Sequence, residues 1–178
     1  MKLKVVIFFI LIILNSCSKN KKPSELKSNL KIDTSRVSII KYDSANLDCK
    51  MVFKTGTNSY LNKEDLDKIE FAIDKIIEKQ NPIQIEKFKE ISKRHPEENY
   101  KKEDFILKKT EYIRRYLVIK NIKGEKEIYV ALVCDEIAKY SDFRKTLKQG
   151  HGGGSCLFSF KLNFDTNEYY DIQFNAEA

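Results

Sequence analysis

The sequence has no apolar run long enough to cross a bilayer, no internal repeat and no block of basic residues. Its longest apolar run, Val5 to Leu14, has ten residues, whereas a membrane-spanning helix needs about 20. The formal net charge of +7 is modest, and carboxylates are interspersed among the basic residues, whereas nucleic-acid binding calls for a basic face or stripe. The sequence therefore predicts neither a membrane-spanning helix nor a nucleic-acid partner.

The motifs of two common enzyme classes are incomplete. His151 begins a His-Gly-Gly-Gly run like the oxyanion segment of lipases. However, the stretch Gly154 to Phe158 lacks the second glycine of a G-x-S-x-G nucleophile elbow. No Gly-Lys-Ser/Thr follows, as a phosphate-binding loop requires. We interpret the glycine run as a loop that leads into a strand.

The cysteines and histidines suggest a thiol or metal site by atom type alone. Cys156 with His151 or His95 would pair a nucleophile with a base. An apolar strand face around Cys156 disfavours the thiolate that such chemistry needs. Cys134, Cys156 and His151 have no metal-ligand spacing. We assign no catalytic residue, no metal and no cofactor, and expect a protein that is not an enzyme.

The first seventeen residues have the pattern of an export signal. Lys2 and Lys4 precede the apolar run, and Leu14-Asn15-Ser16-Cys17 follows it. This ending resembles a bacterial lipobox, in which the signal is cleaved before a lipid-modified cysteine. We predict that residues 1–16 are a signal peptide and that Cys17 is the acylated first residue of the mature protein. The alternative is an ordinary signal peptide with an incidental cysteine.

The remaining 162 residues are enough for one domain with its own core. Residues 17–36 are polar and basic, which predicts a flexible tether after the lipidated cysteine. Residues 37–178 are predicted to form a single α+β domain. Because more than one acyl chain gives durable attachment, we expect a lipid-anchored protein of the bacterial cell envelope, in the outer membrane.

Apolar periodicity predicts one main helix that begins after Asn62, a good N-cap residue. Its stripe is Leu66, Ile69, Ile73 and Ile76. Asn81-Pro82 is expected to end this helix, because proline disfavours helical geometry in the preceding residue. A second, shorter helix is then expected over 83–95.

Strands are predicted before and after these helices. Order is expected to begin near Val37–Ile40 or at Leu47–Phe53, where β-favouring residues occur. After Lys108 the apolar period becomes two, with strands at 112–120, 127–134 and 155–164 and a last strand in which Tyr170, Ile172 and Phe174 share a face. We predict an α+β fold in which one main helix packs on an antiparallel meander sheet of four to five strands.

Three cysteines remain after Cys17, which permits at most one intramolecular disulfide. Cys134 and Cys156 lie on consecutive predicted strands, 22 positions apart, each on an apolar face. We predict that they are bonded to each other, and Cys49 is the rival partner for either.

Tyr112, Arg114 and Tyr116 share one face of their predicted strand. The helix stripe can cover one side of the sheet, and Phe158 and Phe160 are expected to occupy that side. The other side would then expose two tyrosines and an arginine, residue types enriched at binding hot spots. We predict a partner-binding face here; the alternative is a half-buried sheet face with a snorkelling Arg114.

Several segments resemble a family of small exported lipoproteins of Bacteroidota that has no established activity. They are Leu61–Glu70, Tyr112–Tyr116, Gly124–Val130, Gly152–Phe158 and Phe174–Ala178. Relatives tend to have Asp-Gly-Gly before the cysteine strand, where this chain has three glycines. The resemblance implies one lipoprotein domain with a cystatin-like arrangement, and it supplies no catalytic residues.

These observations favour a non-enzymatic module, tethered to the membrane, that binds a protein of the envelope or the cell surface. An immunity or inhibitor protein would suit the small single domain. Two other hypotheses remain open: an envelope hydrolase that uses the 151–156 loop, and an accessory subunit of an outer-membrane assembly.

Overall fold

The computed structural model describes residues 35–139, Leu147 and residues 154–175. The predicted signal peptide, Cys17, most of the predicted tether, and His151 with the first two glycines of its run lie outside these residues. The described part is an α+β fold in which one long helix packs on a mostly antiparallel sheet of six strands. Its elements are β1 (Val37–Ile40), α1 (Leu47–Val52), β2 (Thr57–Asn58), α2 (Lys63–Arg94), β3 (Tyr112–Lys120), β4 (Lys126–Cys134), α3 (Asp135–Ala138), β5 (Leu157–Asn163) and β6 (Glu168–Phe174).

The strands β3 to β6 form the predicted meander, each antiparallel to the next. The sequence did not predict that β1 joins the sheet parallel to β3, so that Val37 pairs with Arg114. Parallel neighbours require a crossover connection, and residues 41–111, which include α1, β2 and α2, provide it. The short strand β2 then pairs antiparallel with the far end of β3.

The hairpin turn between β3 and β4 is formed as predicted. The Asn121 side-chain oxygen accepts hydrogen bonds from the backbone N–H groups of Lys123 and Glu125, at 2.9 and 3.0 Å. Gly124 has a φ of 83°, a left-handed conformation that glycine adopts without steric cost. The turn residues therefore fix the β3–β4 register locally.

Helix α2 begins as predicted but continues through Pro82. Asn62 and Asp65 form a reciprocal capping box, each side chain bonded to the other's backbone N–H at 2.8 Å. The expected stop at Asn81-Pro82 is wrong, because the helix extends unbroken to Arg94. An interior proline costs about 3 kcal/mol, so contacts on both sides of Pro82 must offset this cost.

Two of those contacts come from the connector between α2 and β3, residues 95–111. The Asn81 side chain donates to the Leu107 carbonyl at 3.2 Å and accepts from the Leu107 N–H at 2.8 Å. Beyond the proline, the ring of Phe88 packs edge-on against that of Phe105, with centroids 5.4 Å apart. The connector thus holds both halves of α2 in one helix.

Each face of the sheet has its own cover. On the face under α2, which we call the helix face, the helix buries Ile69, Ala72, Ile73, Ile76 and Ile77 against the sheet. On the opposite face, the α1 segment buries Cys49 and Phe53 against side chains of β3 and β4.

The segment Leu47–Val52 was expected to be extended, and this expectation is wrong. The Asn46 side chain caps a helical turn by accepting from the Cys49 N–H at 3.2 Å. The helical turn places Cys49 in the core, whereas Lys50 next to it is exposed.

Candidate functional site

The predicted partner face of β3 is buried. Tyr116 is 2% exposed, Tyr112 is also buried, and Arg114 is largely covered. In the β3–β4–β5 register, Arg114 is paired with Leu132 and Leu132 with Phe158. Directly paired residues share a sheet face, so these three side chains lie beneath α2. The prediction that Tyr112, Arg114 and Tyr116 form an exposed face is wrong.

The two tyrosines are core residues, and two contacts of Tyr112 hold its side chain in place. The Tyr112 hydroxyl donates to the Ser155 carbonyl at 2.8 Å, and its ring meets Phe158 edge-on, with centroids 5.2 Å apart. Burial raises the pKa of both Tyr112 and Tyr116. Both hydroxyls therefore stay protonated at physiological pH, and neither is poised to act as a base.

Arg114 belongs to an ion-pair network that joins β3 to α2. Its Nη2 atom lies 3.3 Å from Glu70 Oε2. Lys109 Nζ lies 3.3 Å from the same oxygen and 2.7 Å from an oxygen of Asp74. These contacts are made within the domain, so we interpret Arg114 as a structural residue.

The predicted disulfide pair is confirmed. Cys134 and Cys156 have their Sγ atoms 2.01 Å apart and their Cα atoms 4.9 Å apart, well inside the upper limit of about 7 Å for a bridge. Cys49 is buried as a free thiol, so its rival pairings are wrong. A bonded Cys156 has no thiolate with which to act as a nucleophile.

The described ranges hold neither a cluster of metal ligands nor a membrane-spanning helix. Nowhere in residues 35–139 and 154–175 are three or more His, Cys, Asp or Glu side chains grouped so as to hold a metal ion. None of the helices in this part of the chain combines the length and apolarity needed to cross a membrane.

A polar cluster on the opposite face holds β6 in place. Glu127 accepts hydrogen bonds from the Tyr170 hydroxyl at 2.9 Å and from Asn121 Nδ2 at 2.6 Å. Lys161 Nζ lies 2.8 Å from Asp171, and this hydrogen bond lowers the pKa of Asp171. Each of these groups has its partner within the cluster, so we interpret the cluster as a link between β6 and the neighbouring strands.

The strongest candidate binding region lies where α2 runs beside β6. We define the α2–β6 surface as Phe71, Lys75 and Lys79 of α2 with Tyr169 and Ile172 of β6. Phe71 is 61% exposed, and Ile172 is also exposed. Lys75 Nζ lies 5.9 Å from the Phe71 ring centroid, and Lys79 Nζ donates to the Tyr169 hydroxyl at 3.0 Å. The surface thus combines aromatic rings, an aliphatic side chain and ammonium groups.

A bulge in β6 builds one half of this surface. The pairing of β5 with β6 shifts register between Ser159 and Lys161, and Asp171 opposite this shift has a positive φ of 52°. Tyr169 and Phe174 consequently lie on the helix face, against the edge of its core. Alternation from Phe174 places Ile172 on the same side.

The same bulge overturns one sequence prediction. Tyr170 was expected to share a face with Ile172 and Phe174, but it pairs with Lys161 and lies on the opposite face. One extra residue in a strand shifts the alternation of side chains by one position, so residues before and after the bulge follow opposite patterns. Tyr169 was therefore not predicted from the sequence to lie on this surface.

Phe71 was also missed, although the sequence contains a signal for it. Two positions along a helix correspond to a rotation of about 200°, so Phe71 falls opposite Ile69 of the buried stripe. A large aromatic residue on the polar side of an amphipathic helix is a candidate contact residue.

Comparisons of the chain with protein-family models, with curated proteins and with solved structures found no match. The resemblance to exported lipoproteins of Bacteroidota therefore stays a prediction. The class defined by the structure is a disulfide-containing α+β domain with an aromatic and lysine-bearing surface beside its edge strand.

Proposed function

We propose that this protein is a lipid-anchored lipoprotein of the bacterial envelope that binds another protein through its α2–β6 surface and is not an enzyme. The proposal is carried by the exposure of Phe71 on α2 and of Ile172 on β6, the two elements that the Lys79–Tyr169 hydrogen bond joins. Aromatic residues bury much area at low entropic cost and are enriched at protein interfaces. The Lys79–Tyr169 pair adds polar groups to this surface.

Two further observations support export and anchoring. The segment from Lys2 to Cys17 has the order of a lipoprotein signal: basic start, apolar run and lipobox-like end. The Cys134–Cys156 pair is suited to an oxidising compartment, since disulfides persist outside the cytosol. We place the protein in the outer membrane, with its partner in the envelope or at the cell surface.

We further propose a cystatin-like arrangement, in which one helix lies across an antiparallel meander, and an immunity or inhibitor role. In that role the partner would be a toxin or a hydrolase. If the partner is instead a component of an outer-membrane assembly, the protein is an accessory subunit.

The anchor is tested by Cys17→Ser. We expect this variant to move from the membrane fraction to the soluble fraction, because the acyl chains that hold the protein are attached to this residue. Ser18→Ala is the matched control and should stay membrane-bound, with an acylated Cys17 in the mass spectrum of the mature N-terminus. A Cys17→Ser variant that is processed at the same place and remains in the membrane would contradict the anchor.

The partner surface is tested by site-specific photo-crosslinking in intact cells. A photoreactive phenylalanine analogue at position 71 should give one discrete adduct, because this side chain lies within the proposed contact. The same analogue at Ile122, an exposed residue of the β3–β4 turn, is the control and should give none. Mass spectrometry of the adduct then separates an inhibitor from an accessory subunit. Adducts of equal yield at both positions would show that the α2–β6 surface is not the binding site.

A further inference from the structure

We infer that the exposed side of α1 rests on the bilayer that holds the lipid anchor. The sheet face opposite α2 would then be turned towards the membrane, and the α2–β6 surface away from it. The inference rests on the proposed lipidation of Cys17 and adds to it a defined orientation of the domain.

Helix α1 has one buried side and one exposed apolar side. Leu47 and Met51 are 71% and 78% exposed, whereas Cys49 between them is buried in the core. At about 100° per residue, Leu47 and Met51 lie about 40° apart on the helix, and Cys49 lies diametrically opposite their midpoint. One side of α1 therefore anchors the helix to the sheet, and the other presents two large apolar side chains to the outside.

This pair differs from the exposed apolar residues Ile122 and Phe71. Ile122 stands alone on a hairpin turn, and Phe71 carries a lysine ammonium over its ring. Leu47 and Met51 are one helical turn apart, so they can enter the same apolar layer together. An interfacial helix binds a membrane through such a side, buried at the boundary between headgroups and acyl chains.

Charge around α1 suits an anionic headgroup layer. Lys41, Lys50 and Lys54 are all exposed in the segment that carries the apolar pair. The acidic residues of the segment are Asp43, whose side chain accepts from the Ala45 N–H at 2.8 Å, and Asp48. Lysines close to an anionic leaflet are attracted to it within a Debye length, and here they exceed the carboxylates by one.

Helix α1 is close in sequence to the proposed lipid anchor. Cys17 lies 20 positions before Val37, the first residue of β1, and 30 positions before Leu47. Twenty residues span at most about 70 Å when fully extended, which keeps the domain close to the bilayer. Helix α1 is the next element after β1. Its exposed side is therefore among the folded surfaces closest in sequence to the anchor.

The absence of tryptophan from the chain allows a direct measurement. Met51→Trp introduces a single tryptophan on the outer side of α1, and Phe71→Trp introduces one on the other side of the sheet, as the matched control. Both positions are exposed, so neither change disturbs the core. Each full-length lipidated protein is reconstituted in vesicles of phosphatidylethanolamine and phosphatidylglycerol that contain a phosphatidylcholine brominated on its acyl chains.

We expect the brominated lipid to quench Met51→Trp strongly and to shift its emission to the blue, while Phe71→Trp keeps the emission of an exposed tryptophan. Iodide in the aqueous phase should quench the two variants in the reverse order. Equal quenching of both by the brominated lipid would overturn the orientation, as would a Met51→Trp signal that the lipid leaves unchanged.

Two further outcomes identify the source of a failure. Vesicle flotation reports the anchor independently of the fluorescence. Recovery of neither protein with the vesicles would overturn the lipid anchor, and the orientation with it. Flotation of both, with Met51→Trp protected from iodide only when envelope proteins are added, would show that a protein covers α1 and would overturn the membrane contact while leaving the anchor intact.

Discussion

Tyr116→Ala should lower the free energy of unfolding by about 3–5 kcal/mol, the usual loss when a large buried aromatic residue is truncated. Tyr116 is 2% exposed and packs in the core beneath α2. Its removal leaves a cavity between the helix and β3 that the surrounding side chains cannot fill without strain. Urea unfolding of the purified domain, followed by circular dichroism, measures the change directly.

Tyr60→Ala is the matched control for this measurement. Tyr60 is an exposed tyrosine whose ring has Lys126 Nζ 5.6 Å from its centroid. We expect a change of less than about 1 kcal/mol, as is usual for an exposed residue outside the core. Comparable losses in the two variants would contradict the burial of Tyr116. A Tyr116→Ala protein of unchanged stability that no longer binds its partner would restore the original interpretation of this strand as a binding face.

Reduction of the Cys134–Cys156 bond should cost about 3 kcal/mol of stability, the entropic estimate for a loop of this length. The bond joins the end of β4 to the residue before β5, across 22 positions. Without it, the unfolded chain regains the freedom of the intervening loop. Thermal unfolding with and without dithiothreitol should show a lower midpoint for the reduced protein.

The double variant Cys134→Ala/Cys156→Ala separates the bond from other effects of the reductant. Its stability should match that of the reduced protein and should not respond to dithiothreitol. Cys49, the buried free thiol, is present in both proteins and so cannot explain a difference between them. If dithiothreitol left the native protein unchanged, the bond would be absent or would contribute nothing to stability.

Because Tyr112, Arg114 and Tyr116 are buried, the proposed partner-binding surface lies at the edge of the helix face and not on β3. At that edge, Tyr169 and Phe174 of β6 are partly buried against the core beneath α2. Lys79 of α2 donates a hydrogen bond to Tyr169, and Phe71 of α2 and Ile172 of β6 are exposed. A partner that covers this edge would extend the core beneath α2.

The sequence by itself determined the features that depend on neighbours along the chain. The cap at Asn62, the turn at Asn121–Gly124 and the alternation within β5 all follow from local backbone chemistry and from periodicities of 3.6 and 2. The pairing of Cys134 with Cys156 could be predicted from the sequence for a similar reason, because consecutive strands of a meander are adjacent in space. The α+β class follows from the order of these elements.

Only the tertiary structure decided the features that depend on distant residues. The cross-strand register set the face on which Arg114 lies, because the alternation within one strand does not reveal which of its two sides meets the helix. The bonds of Asn81 to Leu107 help α2 to continue past a proline that would end an isolated helix. A single-residue bulge at Asp171 placed Tyr169, rather than Tyr170, beside α2. In each case, contacts between segments far apart in the chain outweighed or completed a local preference.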